Sequence, residues 1–148
     1  MSHQNMKNYY DLLDINVRVI VAPNDKAILP EAIVSINNCV LYDGILDRAQ
    51  DLRLKVDLLI PISIKVELKN KKYDEESRDN GIKIQLLTID DFELIPKFAY
   101  LAEYKNDHNY QNPTSMLPFN GIWSISTDDR PFYQWHHIIH KQGWLLEP

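Results

Sequence analysis

"DLRLKVDLLIPISIKVELKNKKY", Asp51 to Tyr73, decides the fold class. Its first half sets Leu52, Leu54, Val56 and Leu58 at every second position, with Arg53, Lys55 and Asp57 between them. Its second half repeats the scheme, Ile62, Ile64, Val66 and Leu68 alternating with Ser63, Lys65, Glu67 and Lys69. Successive side chains of a strand point to opposite faces, so this period reads as two strands, each with one face on a core and one in water. Pro61 divides them, because proline has no N–H to give a central ladder. The outward Lys and Glu side chains suit cross-strand pairing. The tail, "KNKKY" (Lys69 to Tyr73), is the one basic cluster; "DEES" follows at once, so it reads as a solvated charged loop.

The same period recurs on both sides. "LDINVRVIVA" alternates Ile15, Val17, Val19 and Val21 against Asn16, Arg18 and Ile20. "AIVSINNCVLYDGIL" carries Ile33, Val34 and Ile36, then Asn37-Asn38, then Val40 and Tyr42. Adjacent asparagines tolerate positive φ and predict a tight hairpin turn. Beyond a polar turn or mobile loop closing on Gly81, "IKIQLLTIDDFELIPKF" offers Ile82, Ile84 and Leu86, a turn near Asp90-Asp91, then Phe92 and Leu94. Ala102 to Pro118 reads as loop, and strand character returns in "FNGIWSIS". Short strands at roughly ten-residue spacing, with turn signals between them, predict an all-β fold: an antiparallel β-sandwich or jelly roll. The chain is read as a single domain over 1–148, with 1–12 as a flexible or partner-docking N-terminal arm.

The chain has 148 residues, 45% of them hydrophobic and 25% charged, enough for one sizeable core. Sixteen basic against 21 acidic side chains give a net charge of −5, which argues against a surface that grips phosphate backbones, so no nucleic-acid partner is expected. Apolar runs are too short for a bilayer-spanning helix, and the N-terminus lacks the features of an export signal, so no membrane partner and a cytoplasmic site of synthesis are expected. Cys39 is the sole cysteine, which rules out an intrachain disulfide, and it reads as a small buried hydrophobe.

The end of the chain, "PFYQWHHIIHKQGW", reads as a short C-terminal helix or paired turns between Pro131 and Gly143. At helical spacing Phe132, Trp135, His136 and Ile139 share one side, and Tyr133, His137 and His140 another. Phe132, Trp135 and Ile139 are expected on the sheet, with Trp144, Leu145 and Leu146 completing the core. His136 and His140 also stand at the i, i+4 spacing of a zinc pair, with Asp128, Asp129, Glu147 or His108 available as a third ligand. That alternative makes the protein a metal-dependent hydrolase. In the H-E-x-x-H motif, however, the second position is a glutamate general base, and here it is His137. Glu103 and Asp107, with the amide oxygen of Asn106, form an oxygen-rich loop with the ligand chemistry of calcium. No nucleophile elbow or phosphate-binding glycine loop is present, and the chain is read as a non-enzyme.

Aromatic side chains are better placed for binding than for catalysis. Tyr104, Tyr110, Tyr133 and Trp135, with Asn120, combine flat faces for C–H stacking with hydrogen-bonding groups, the chemistry of a polysaccharide-binding surface. For Trp123, set among alternating strand residues, a place in the core is the better reading.

"LTIDDFELIPKF", "LPFNGIWSIS", "RPFYQWHH" and "QGWLLEP" together resemble a pattern in small β-sandwich proteins of tailed bacteriophage virions. They are also loosely similar to calcium-dependent carbohydrate-binding modules. The resemblance covers Ile82 to Pro148, and Asp91 departs from it where those modules favour glycine. It implies a non-catalytic structural or accessory protein that binds or builds, located on a virion assembled in the host cytoplasm. Its partners would be other virion proteins, copies of itself or a polysaccharide.

Overall fold

The structure, a computed structural model, describes residues 14–25, 28–69, 71–73, 81–90, 92–95, 101–110 and 115–132. The strands are β1 (Asp14–Pro23), β2 (Glu31–Ile36), β3 (Cys39–Ile45), β4 (Gln50–Asp57) and β5 (Pro61–Lys69). They continue with β6 (Ile82–Ile89), β7 (Phe92–Ile95), β8 (Glu103–Asn106), β9 (Met116–Leu117) and β10 (Gly121–Pro131). One five-stranded sheet has the order β4-β1-β6-β7, with β9 on β6; the other runs β3-β2-β5-β10-β8. Every pairing is antiparallel. The expected all-β sandwich is present. The N-terminal arm lies outside the described residues, as does the expected C-terminal helix beyond Phe132; Pro131, expected to open that helix, instead ends β10.

The inward rows are those the alternation predicts. Val17, Val19 and Val21 of β1 face Ala32, Val34 and Ile36 of β2 and Ile62, Ile64, Val66 and Leu68 of β5 in one apolar core. Trp123, fully buried on β10, lies in register with Val66 on one side and Tyr104 on the other. Phe132 is buried too, its ring 5.9 Å from that of Phe92. Asn37 and Asn38 hold φ of 50° and 66° in the β2–β3 turn, and the Asn37 side chain accepts a bond from the Ser63 backbone at 2.8 Å. Pro61 is the first residue of β5, where no ladder donor is required of it.

Four expectations are corrected. Leu86 does not continue the inward row of Ile82 and Ile84; Leu87 and Ile89 do. The register steps from Ile20↔Leu86 to Val21↔Ile84, so Gln85 is the extra residue of a bulge, and one extra residue exchanges the two faces. Cys39 is exposed, because it opens the edge strand β3 beyond the reach of the opposite sheet. The Ala102–Pro118 stretch is not all loop but holds β8 and β9. "KNKKY" is not wholly solvated, since Lys71 is buried.

Candidate functional site

One end of the second sheet carries a cluster of rings and hydrogen-bonding groups. It is built from three segments: 71–73 after β5, 103–110 containing β8, and 118–120 leading into β10. Two tyrosine hydroxyls hold consecutive backbone amides. Tyr104 accepts from Phe119 N at 2.9 Å and donates to the Phe119 carbonyl, while Tyr73 accepts from Asn120 N at 2.8 Å. The Asn120 side chain bonds both backbone groups of Lys71 at 2.8 Å, standing in for one more step of sheet. Lys71 Nζ donates to the Pro118 carbonyl. Each segment is thus tied to the next.

The 106–110 turn is held by Asn106. Its Oδ1 accepts from His108 N at 3.0 Å and Tyr110 N at 2.9 Å, and its amide donates to the Tyr110 carbonyl at 2.9 Å. Asn109 takes a φ of 52° in this turn, which asparagine tolerates. The result brings His108 flat against Phe119, rings 4.2 Å apart and 10° from parallel. Tyr73 meets the imidazole edge-on at 4.4 Å, and Tyr110 tilts against Phe119 at 5.6 Å. Tyr73 is 46% exposed and His108 is exposed as well, so the platform opens to solvent.

Asp107 is the charged hub. Its carboxylate accepts the Tyr73 hydroxyl at 2.6 and 2.7 Å and meets His108 Nδ1 at 2.8 Å. Burial pulls its pKa upward, but the bonds from Tyr73 and His108 outweigh this and hold it below the ordinary carboxylate value. Burial, reinforced by nearby acidic groups, lifts Tyr104 from 10.0 to about 12. Below pH 10 this hydroxyl is neutral in both folded and unfolded chains; between 10 and about 12 only the unfolded chain ionises it. Stability is therefore expected to fall as pH rises through that window, read as the urea midpoint. Tyr104→Phe should flatten this fall while lowering stability at neutral pH by about 1–3 kcal/mol, because the Phe119 amide and carbonyl lose their partner.

Of the residues singled out in the sequence, Tyr104, Tyr110, Asn120 and Asp107 come together here. Tyr104 and Asn120 act as its internal struts. Glu103 lies away from Asp107 at the other end of β8, with its carboxylate 3.6 Å from Lys105 Nζ. Asn106 Oδ1 is committed to backbone amides. Among the described residues no three His, Cys, Asp or Glu side chains converge to hold a metal ion. Tyr133, Trp135, His136 and His140 lie outside the described residues. Tyr73 and Phe119 were not legible as site residues: "KNKKY" reads as charge, and Phe119 as one more strand residue.

No family model matches the chain, and no curated protein matches it. Among solved structures it is similar to vCBM60, a calcium-dependent carbohydrate-binding module of a group linked to a second family by circular permutation. The selenomethionine form superposes with a TM-score of 0.50 at 11% identity, covering 75% of this chain and 89% of that one. The complex of vCBM60 with galactobiose gives a TM-score of 0.50 at 12% identity, covering 74% and 96%. The chain has the β-sandwich fold of this module. At that identity the likeness is one of fold alone.

Proposed function

We propose that the protein is a non-catalytic, glycan-binding β-sandwich that takes a neutral oligosaccharide on the Tyr73–His108–Phe119 platform. The observation that carries this reading is the solvent-open stack of rings beside Asp107. Ring faces match the C–H faces of a pyranose, and a carboxylate already fixed by two neighbours accepts sugar hydroxyls without further ordering. The fold shared with a galactobiose-binding module supports the class of ligand.

Titration calorimetry and affinity gels with galactobiose, galactan and other neutral glycans test it. Tyr73→Ala and His108→Ala are expected to weaken binding tenfold or more, about 1.4 kcal/mol, with an unchanged circular dichroism spectrum. If no neutral glycan binds, or if both variants bind like the parent, the reading is lost. A place on a tailed-phage virion is the extension that the C-terminal resemblance supports. Purified particles that lack the chain would remove this extension and leave glycan binding standing.

A further inference from the structure

The outer face of the first sheet carries a groove lined by Asn16, Arg18, Arg53, Thr88, Asp90 and Glu93. Its floor is one row of side chains crossing four strands, because Arg53 pairs with Arg18, Arg18 with Thr88 and Thr88 with Glu93. At strand spacings of about 4.8 Å, such a row runs about 14 Å from β4 to β7. Each step is close to the length of one pyranose ring.

The row opposes two arginines on neighbouring strands. Like charges directly opposite destabilise a sheet, and here one carboxylate restrains both. Asp51 accepts Arg18 Nε and Nη2 at 3.0 and 2.9 Å, and Arg53 Nε and Nη2 at 3.4 and 3.1 Å. Both guanidinium planes are thereby fixed, and Nη1 of each has no protein acceptor among the described residues. The Arg53 side chain is 65% exposed. The two cations and Asp51 leave one positive charge at the β4 end. Glu93 and Asp90 make the β7 end acidic. Asp90 is held by a 2.6 Å bond from Asn16 N.

We propose that this groove is a second binding site, which takes a uronic-acid-containing oligosaccharide with its carboxylate on Arg53 and Arg18 and its hydroxyls on Thr88 and Glu93. A guanidinium fork matches a carboxylate bidentately. The acceptors at the far end match hydroxyl donors and disfavour a second anion there. No ring among the described residues lines the row, so recognition there is polar and weakens with salt. The site does not rest on the aromatic platform and lies on the other sheet.

The test is titration of the full chain with an aldotriouronic acid, one uronate on a neutral disaccharide, against galactobiose and dextran sulfate. The mono-uronate should bind, and Arg53→Gln should weaken it at least tenfold. Glu93→Gln should weaken it by a smaller factor, and Tyr73→Ala should leave it unchanged. No binding of the mono-uronate overturns the proposal, as does equal binding of dextran sulfate, which marks a generic anion patch. Loss in Tyr73→Ala with retention in Arg53→Gln also overturns it, and assigns the acidic sugar to the platform instead.

Discussion

Gly121→Ala is expected to strip β8 from its sheet and abolish binding at the platform. Gly121 lies in register with Asn106, and a methyl group there would stand 2.2 Å from the Lys105 carbonyl oxygen and 2.7 Å from Asn106 Cα. Both obstacles are backbone, so no rotamer change relieves them. β8 is an edge strand whose sheet partner is β10, and the least costly relief is to let it go. It takes with it Tyr104 and Asn106, and with them the turn that presents Asp107 and His108. The cost should be about 2–4 kcal/mol, in the range of overpacking with backbone displacement. Hydrogen exchange should report loss of protection at Glu103–Asn106 before the rest of the sandwich opens. A Gly121→Ala protein with the parental urea midpoint and parental glycan affinity would refute the close approach of β8 to β10.

Trp123→Ala is expected to carry the largest penalty of any single core truncation, about 3–5 kcal/mol. The indole is fully buried between Val66 and Tyr104 in the register of the second sheet. Both neighbours belong to paired strands, so the walls of the resulting cavity cannot collapse into it. A domain typically has about 5–15 kcal/mol in total, so the variant should be marginal at physiological temperature. Trp123→Phe fills most of the space and should recover more than half of the loss, measured as urea midpoints. If alanine costs no more than phenylalanine, the indole is not a core residue.

Much of the fold was legible because burial in a two-layer sandwich imposes period two; β2 and β5 obey it without interruption, and β1 obeys it as far as Val21. Where the pattern failed, the cause was a local event with no compositional mark. The bulge opposite Ile20/Val21 inserts Gln85 and moves Leu87 and Ile89 inward, yet "IKIQLLTI" reads equally well in either phase. The exposure of Cys39 follows from β3 being an edge, which depends on strand order and not on the residues around it. In "YKNDHNY", polar residues looked like loop because β8 is short and lies at an edge, with one face in water.

The candidate site divides in the same way. Tyr104, Tyr110, Asn120 and Asp107 drew notice as chemistry near one another in sequence. Their partners Tyr73 and Phe119 arrive from other segments, Tyr73 lying 34 residues from Asp107. The groove on the first sheet had no sequence signature at all. Arg18, Arg53, Thr88 and Glu93 each occupy an ordinary outward position of a different strand, and cross-strand register alone aligns them.

Asp51 to Tyr73 shows the division most plainly. Its alternation dictates two strands with one wet and one dry face each, because an apolar side chain at every second residue can be buried only that way. Nothing in it says that β4 joins one sheet and β5 the other, crossing at Leu58–Ile60 where Asp57 holds the turn at 2.8 Å. A hairpin within one sheet would satisfy the same local pattern. The choice belongs to the partners: β1 takes β4, while β2 and β10 take β5, and the shared core they enclose forms only when every strand is in place.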